Sequence, residues 1–208
     1  MKTIPLFSLI FLTITSANLW AEPSAIAKTL FIKPSVSAQS PTTERIIERG
    51  DSIYHHDIIH TQTQARAKFR FDDGTLLTMG ENSVFAIKEF VSSKQKKHAV
   101  LEFTQGAFRI LTGSITDTSS PSFTVNTPMG SIGIRGTDFW GGNLSDDGSI
   151  DVLLIDSEHT IEVSNSHGKV VLRQAGEGTT LKPNMAPLTP KIWPQAKVQK
   201  ALNTINLP

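Results

Sequence analysis

The chain has 208 residues, 38% hydrophobic and 19% charged, which is enough to bury a core, too apolar for wholesale disorder, and long enough for one domain with tails. Cysteine is absent, so a disulfide framework, a lipid-anchored cysteine, a thiolate nucleophile and a zinc-thiolate site are all excluded. The formal net charge of +1 falls to about zero once an N-terminal leader carrying Lys2 is removed, which leaves no general drive toward nucleic acid or an anionic membrane.

The first 21 residues, MKTIPLFSLIFLTITSANLWA, carry one cation at Lys2, an apolar run from Ile4 to Ile14 and small residues near the end. This is the layout of a secretory signal peptide over residues 1–21, with cleavage after Ala21 favoured, and cleavage after Ala17 or an uncleaved anchor as the alternatives. No later stretch approaches the roughly 18 uninterrupted apolar residues of a spanning helix. An exported chain without disulfides is held by its core, which suits the bacterial periplasm or secretion.

Residues 22–49 read as an N-terminal strand, TLFIKPSVSA, followed by a turn-rich linker, SAQSPTTE. From Gly50 to about Thr180, short runs of Val, Ile, Phe and Thr are broken every 8 to 12 residues or so by turn signals, an all-β rhythm. In AKFRFDDGTLLTM, Phe69 and Phe71 alternate with Lys68 and Arg70, and Asp73-Gly74 supplies a tight hairpin turn. The basic run SSKQKKH, with Lys94, Lys96, Lys97 and His98, reads as a solvated hairpin tip.

SFTVNT and SIGIR form a further alternating pair joined by Thr127-Pro128-Met129-Gly130. LSDDGSIDVLLID turns at Asp147-Gly148 into a strand with Ile150, Val152 and Leu154 on one face and Leu153 and Ile155 on the other, which predicts burial on both sides. HTIEVSNSHGKVVLRQ is a hairpin around Asn165 to Gly168. The hairpins share no fixed period with matching residues, so a β-helical array is not favoured. Residues 182–208 are a Pro-rich tail ending in QAKVQKALNTI, where Val198, Ala201, Leu202 and Ile205 predict a short amphipathic helix packed back on the domain.

Chemistry is hard to place on this chain. His56-Asp57-Ile58-Ile59-His60 imitates a zinc-protease signature, but on an extended segment the two histidines would stand about 13 Å apart, too far for one ion. No G-x-S-x-G elbow is present, and Asp146, Asp147 and Asp151 lack the spacing of a calcium loop. GSIGIRGTDFWGG, from Gly130 to Gly142, has no P-loop lysine and is followed by strands, not a helix, so it is no phosphate cradle. Within it, Gly133 predicts a bulge or the close approach of another backbone. Arg135, if buried, needs a partner such as Asp73, Asp138 or Glu102. Phe139 is expected in the core and Trp140 is left for a partner. No catalytic residue, metal ligand or cofactor is assigned.

GDSIYHHDIIHTQTQARAKFRFDDGTLLTMGENSVFAI, LEFTQGAFRIL and FTVNTPMGSIGIRGTDF together resemble the FecR-type domain, over about residues 50–181. The resemblance implies a single all-β domain of sandwich or jelly-roll character, periplasmic and without catalytic activity. Its signature residues, Asp73, Gly74, Thr127, Pro128, Gly130, Arg135, Gly136, Thr137 and Phe139, are then expected to be structural. In the family's named members the domain is the periplasmic part of a regulator that hears an outer-membrane transporter and controls a sigma factor. Those members carry a cytoplasmic sigma-binding segment and a transmembrane helix, where this sequence begins with an export signal. The expectation is a free-standing envelope module that binds a protein, with a glycan as alternative and no nucleic acid. Two other readings are a signalling component working through a separate membrane protein, and a cell-wall accessory protein or enzyme.

Overall fold

The computed structural model describes residues 24–93, 95–116, 122–157 and 159–207. The expected leader and Lys94 of the basic run lie outside them. The described chain is all-β with a short C-terminal helix, as the sequence pattern predicts. The strands are β1 (Ala25–Lys33), β2 (Val36–Gln39), β3 (Glu44–Ile46), β4 (Ser52–Tyr54), β5 (Ile58–Thr61), β6 (Arg66–Phe71), β7 (Leu76–Met79), β8 (Val84–Ser92), β9 (Lys97–Gln105), β10 (Ala107–Leu111), β11 (Ser122–Thr127), β12 (Gly130–Ile134), β13 (Thr137–Gly142), β14 (Ile150–Ser157), β15 (Ile161–Asn165), β16 (Gly168–Leu172), β17 (Glu177–Leu181) and β18 (Lys191–Ile192); the helix is α1 (Gln195–Asn203).

The strands form two nine-stranded sheets, β18-β17-β14-β13-β10-β7-β6-β1-β4 and β16-β15-β12-β11-β9-β8-β5-β2-β3. Beyond the first few strands, each order is simply chain order: the chain lays one or two strands in one sheet, crosses, lays the next in the other, and advances along both. A single strand, β10, lies in the first sheet between β9 and β11 of the second, so β11 returns beside β9 running the same way and the two pair in parallel. A connection longer than a hairpin is what parallel pairing requires.

Side-chain alternation builds the core. Along β6, Ala67, Phe69 and Phe71 are buried while Arg66, Lys68 and Arg70 face outward. The inner faces of both sheets pool Phe85, Phe103, Phe108, Phe123, Phe139, Ile132 and Val152 in one cluster. Phe108 sits at its centre, 5.1 Å from Phe85, 4.8 Å from Phe103 and 5.7 Å from Phe139, centroid to centroid. Such tilted and edge-on pairs add about 0.5–1.5 kcal/mol each beyond their buried area.

Two expectations are refined. TLFIKPSVSA is not one strand: β1 and β2 lie in different sheets, and the chain crosses between them at Pro34-Ser35, where proline has no N–H to give a ladder. The Pro-rich tail contributes only the two-residue edge strand β18 before the helix. Both faces of β14 are buried as predicted, Ile150, Val152 and Leu154 in the main core and Leu153 in a second cluster beneath α1. The predicted hairpins β6–β7, β11–β12 and β15–β16 are all formed in antiparallel register.

Candidate functional site

The Asp73-Gly74 turn ends β6, and glycine suits it because the backbone there is left-handed, at φ 93°. Asp73 does more than turn the chain. Its Oδ1 accepts the Thr75 N–H at 2.8 Å, and its Oδ2 accepts the Thr75 hydroxyl at 2.8 Å and the Ile115 N–H at 3.0 Å. Its carbonyl takes the Ser114 N–H at 3.0 Å, while the Thr75 hydroxyl oxygen takes the Gly113 N–H at 2.9 Å. Gly113 lies so close that a Cβ would strike the Asp73 carbonyl and the Thr75 nitrogen.

From this loop the connections run to the second half of the signature. The Thr112 hydroxyl oxygen accepts the Thr137 N–H at 2.9 Å, and the Thr112 N–H and hydroxyl both reach the Thr137 carbonyl, at 3.1 and 3.2 Å. Asp73 and Thr137 are thus tied through residues 112–115 into one knot at a rim of the first sheet. Thr75, Thr112 and Gly113 complete it, and nothing in their spacing singles them out in the sequence.

Thr127 shapes the next turn by donating to the Gly130 carbonyl at 2.8 Å and accepting the Met129 N–H at 3.2 Å, with Pro128 between. Gly130 stands where a Cβ would meet the Ser164 carbonyl of the neighbouring strand. Arg135-Gly136 is the corner at which the chain leaves β12 in the second sheet for β13 in the first, and Gly136 takes it with φ 77°. Phe139 is wholly buried in the core, as predicted.

The two expectations for Arg135 and Gly133 are corrected. Arg135 is exposed; Asp138 is bound by Arg109, Glu102 by Lys88, and Asp73 is spent on the knot. Gly133 sits in a regular ladder between Thr124 and Glu162 with no bulge, and no backbone approaches unusually closely: a Cβ there would meet the Glu162 carbonyl at an ordinary 3.8 Å. Both residues instead line an open groove of about 480 Å³ on the outer face of the second sheet, with Thr124, Thr160, Glu162 and Arg173.

Ion pairs elsewhere brace the sheets. Arg109 on β10 grips Asp138 on β13 through Nε at 2.8 Å and a second bond from Nη2, and these bonds, against the opposing effect of burial, raise the guanidinium pKa. In the HHDIIH segment His55 and His56 form a turn, not the strand expected at His56, and β5 begins only at Ile58: His56 has φ 66°, and Asp57 is fully buried on Arg45. Among the described residues no cluster of three His, Asp or Glu could hold a metal ion.

The model of the FecR protein family matches residues 57–171, more than half of the chain. This chain belongs to the FecR family. The matched region of this FecR chain runs from buried Asp57 to β16 and contains the whole knot. Two crystal structures of a "putative anti-sigma factor" from Parabacteroides distasonis ATCC 8503, at 1.65 and 2.50 Å resolution, share the fold with TM-scores of 0.53 and 0.54 at 16% identity. Each comparison covers 68% of this chain and 62% of the other. A search of curated proteins returned no match.

Trp140, which follows the last FecR signature residue Phe139 and is expected from the sequence to meet a partner, is instead inside the protein. It is 0% exposed, stacked edge-on to Trp193 at 6.4 Å, and its indole N–H donates to the Thr204 hydroxyl at 3.0 Å. The reason is the helix beyond the family match: α1 lies over the outer face of the first sheet and buries Trp140, Leu153 and Trp193 with Ala201 and Ile205. Lys197 pins it, its ammonium 2.7 Å from the buried Asp151 carboxylate and 3.9 Å from the Trp193 ring centroid. Thr180 donates to the same Asp151 oxygen at 2.6 Å.

Proposed function

We propose that this FecR-family chain is a non-catalytic interaction module of a regulatory system in the bacterial cell envelope, exported by the leader at residues 1–21. What carries the reading is how the family signature is used. Asp73, Gly74, Thr127, Gly130, Gly136 and Thr137 are spent on holding strands and corners together, so the signature supplies a rigid body and no reactive group. Family membership and the shared fold with an anti-sigma factor favour a signalling role over a cell-wall accessory or enzyme. No observation favours a glycan over a protein partner.

Crosslinking in intact cells with photoreactive residues on both outer sheet faces, followed by identification of captured proteins, tests the reading. Capture of a membrane sensor, a transporter or an anti-sigma component supports it. Capture of nothing but the chain itself removes its main support. Export is tested separately: a phosphatase fused after Ala25 becomes active in whole cells if the leader works, and stays inactive if it does not.

A further inference from the structure

The outer face of the first sheet carries a charge pattern that no stretch of sequence displays. On β6 the outward residues are Arg66, Lys68 and Arg70. Across the ladder on β1, Lys33 stands opposite Arg66, Phe31 opposite Lys68 and Lys28 opposite Arg70. On the other side Thr78 of β7 faces Lys68, and Arg109 of β10 faces Thr78. Strands distant in sequence thus bring Lys28, Lys33, Arg66, Lys68, Arg70 and Arg109 onto one surface of a chain whose net charge is only +1.

Little nearby charge balances them. Arg109 is neutralised by Asp138, and Arg66 has Glu81 at 3.8 Å. Lys28 donates to the neutral Ser52 hydroxyl at 2.8 Å. Among the described residues no carboxylate lies within ion-pair distance of Lys28, Lys33, Lys68 or Arg70. Half-buried Phe31 and Leu76 and the exposed Leu111 are interspersed. The surface is also concave. Lys68, Thr78 and Arg109 form one side of a groove of about 400 Å³ whose other side is a mixed wall near the C-terminus, with Gln199, Leu202 and Asn203 of α1 and then Ile205, Asn206 and Leu207.

We propose that this face is a docking site for an extended acidic segment of a partner protein, a step that rests on the interaction reading above. Charge complementarity names the sign of the occupant, and the spacing names its form. Cations at alternate residues of β6 recur about every 7 Å, the repeat of alternate side chains in an extended peptide. A trough with cations on one side and a wall of amide and apolar side chains on the other accepts a chain with carboxylates on one side and small uncharged groups on the other. A bilayer surface is flat and cannot enter it. Exposed cations of this kind govern encounter and salt sensitivity more than they add affinity.

The test uses the full chain and a fluorescein-labelled peptide of alternating Glu and Thr, about ten residues long, enough to run past the six residues of β6 at roughly 3.3 Å per residue. Fluorescence anisotropy should show saturable binding that weakens as NaCl rises from about 50 to about 500 mM. The double variant K68E/R70E should lose about tenfold or more in affinity, with its melting curve confirming that it folds. The double variant R135E/R173E, on the other sheet's outer face, should bind as the parent does. Three results overturn the proposal: no saturable peptide binding, equal loss in both double variants, or binding to phosphatidylglycerol vesicles with none to the peptide. If crosslinking in cells captures a partner as well with K68E/R70E as with the parent, this face fails while the interaction reading stands.

Discussion

Arg45 on edge strand β3 holds the carboxylate of Asp57 with both terminal nitrogens, Nη1 lying 3.0 Å from Oδ1 and Nη2 bonded to Oδ2. Asp57 is fully buried and also accepts the Tyr54 N–H at 2.8 Å, while Arg45 is part-exposed and lies 5.1 Å from the Tyr54 ring centroid. The pair ties the end of the second sheet to the turn that leads into β5. Its hydrogen bonds raise the Arg45 pKa. Replacing Arg45 by Met strands a buried carboxylate, and breaking a buried pair from one side costs about 3–5 kcal/mol. Urea unfolding should show that loss for Arg45→Met and a smaller one for the double variant Arg45→Met/Asp57→Asn. Equal losses would mean that the buried charge is not the cause.

The signature knot makes a contrasting pair of expectations. Asp73→Ala removes the acceptor for Thr75 and Ile115 and should cost about 2–4 kcal/mol, as loss of several buried partners does. Gly113→Ala should be comparably damaging, because its methyl group meets backbone that cannot move aside. Arg135→Ala, equally part of the signature but on the surface, should change stability by less than about 0.5 kcal/mol. Thermal melts followed by circular dichroism give all three.

The helix α1 should behave as a cover whose removal is visible in fluorescence. Ending the chain before Pro194 exposes Trp140, and its emission should shift to the red; no shift would mean that something else shields the indole. Thr204→Val, which deletes the hydroxyl bonded to the Trp140 indole, should cost about 1 kcal/mol. Trp140→Ala should cost about 3–5 kcal/mol through the cavity it leaves.

His55 should make stability depend on pH. Burial, and then the charge of neighbouring His56, hold its pKa below 6.5, with Glu89 opposing. The folded chain therefore binds the proton less readily than the unfolded chain. The stability from neutral His55 is complete above the unfolded value of 6.5 and is lost as pH falls through the lowered folded value. An NMR titration should place the His55 midpoint below 6.5, and His55→Gln should flatten the pH dependence in that range. A midpoint at or above the ordinary value would remove the basis for this.

The parts of the fold legible in the sequence are those that local rules decide. Phe69 and Phe71 alternating with Lys68 and Arg70 before Asp73-Gly74 specify both a hairpin and which side is buried, and the same logic gives β11–β12 and β15–β16. Which sheet each hairpin joins depends on corners such as Pro34-Ser35 and Arg135-Gly136, whose sense is set by distant packing. Trp140 was unreadable for the same reason. It lies on the outward face of β13, where solvent or a partner is the natural expectation, and it is buried only because a helix some sixty residues later, near Thr204, folds over it. The knot was half legible: Asp73 and Thr137 belong to the signature, whereas Thr75, Thr112 and Gly113 matter only through contacts formed after folding.

The near-sequential strand order also bears on how such a chain can assemble. Most β-sandwiches wait for the far end of the chain to supply a central strand, which makes them slow to fold and leaves edges open meanwhile. Here each new hairpin docks beside the last one laid down, so a chain emerging N-terminus first can build its sandwich as it appears, like a zip closing from one end. Only the final cover, α1 over Trp140 and Trp193, has to wait for the last residues. By the same token, a relative could gain or lose a hairpin at the C-terminal end without rethreading the rest.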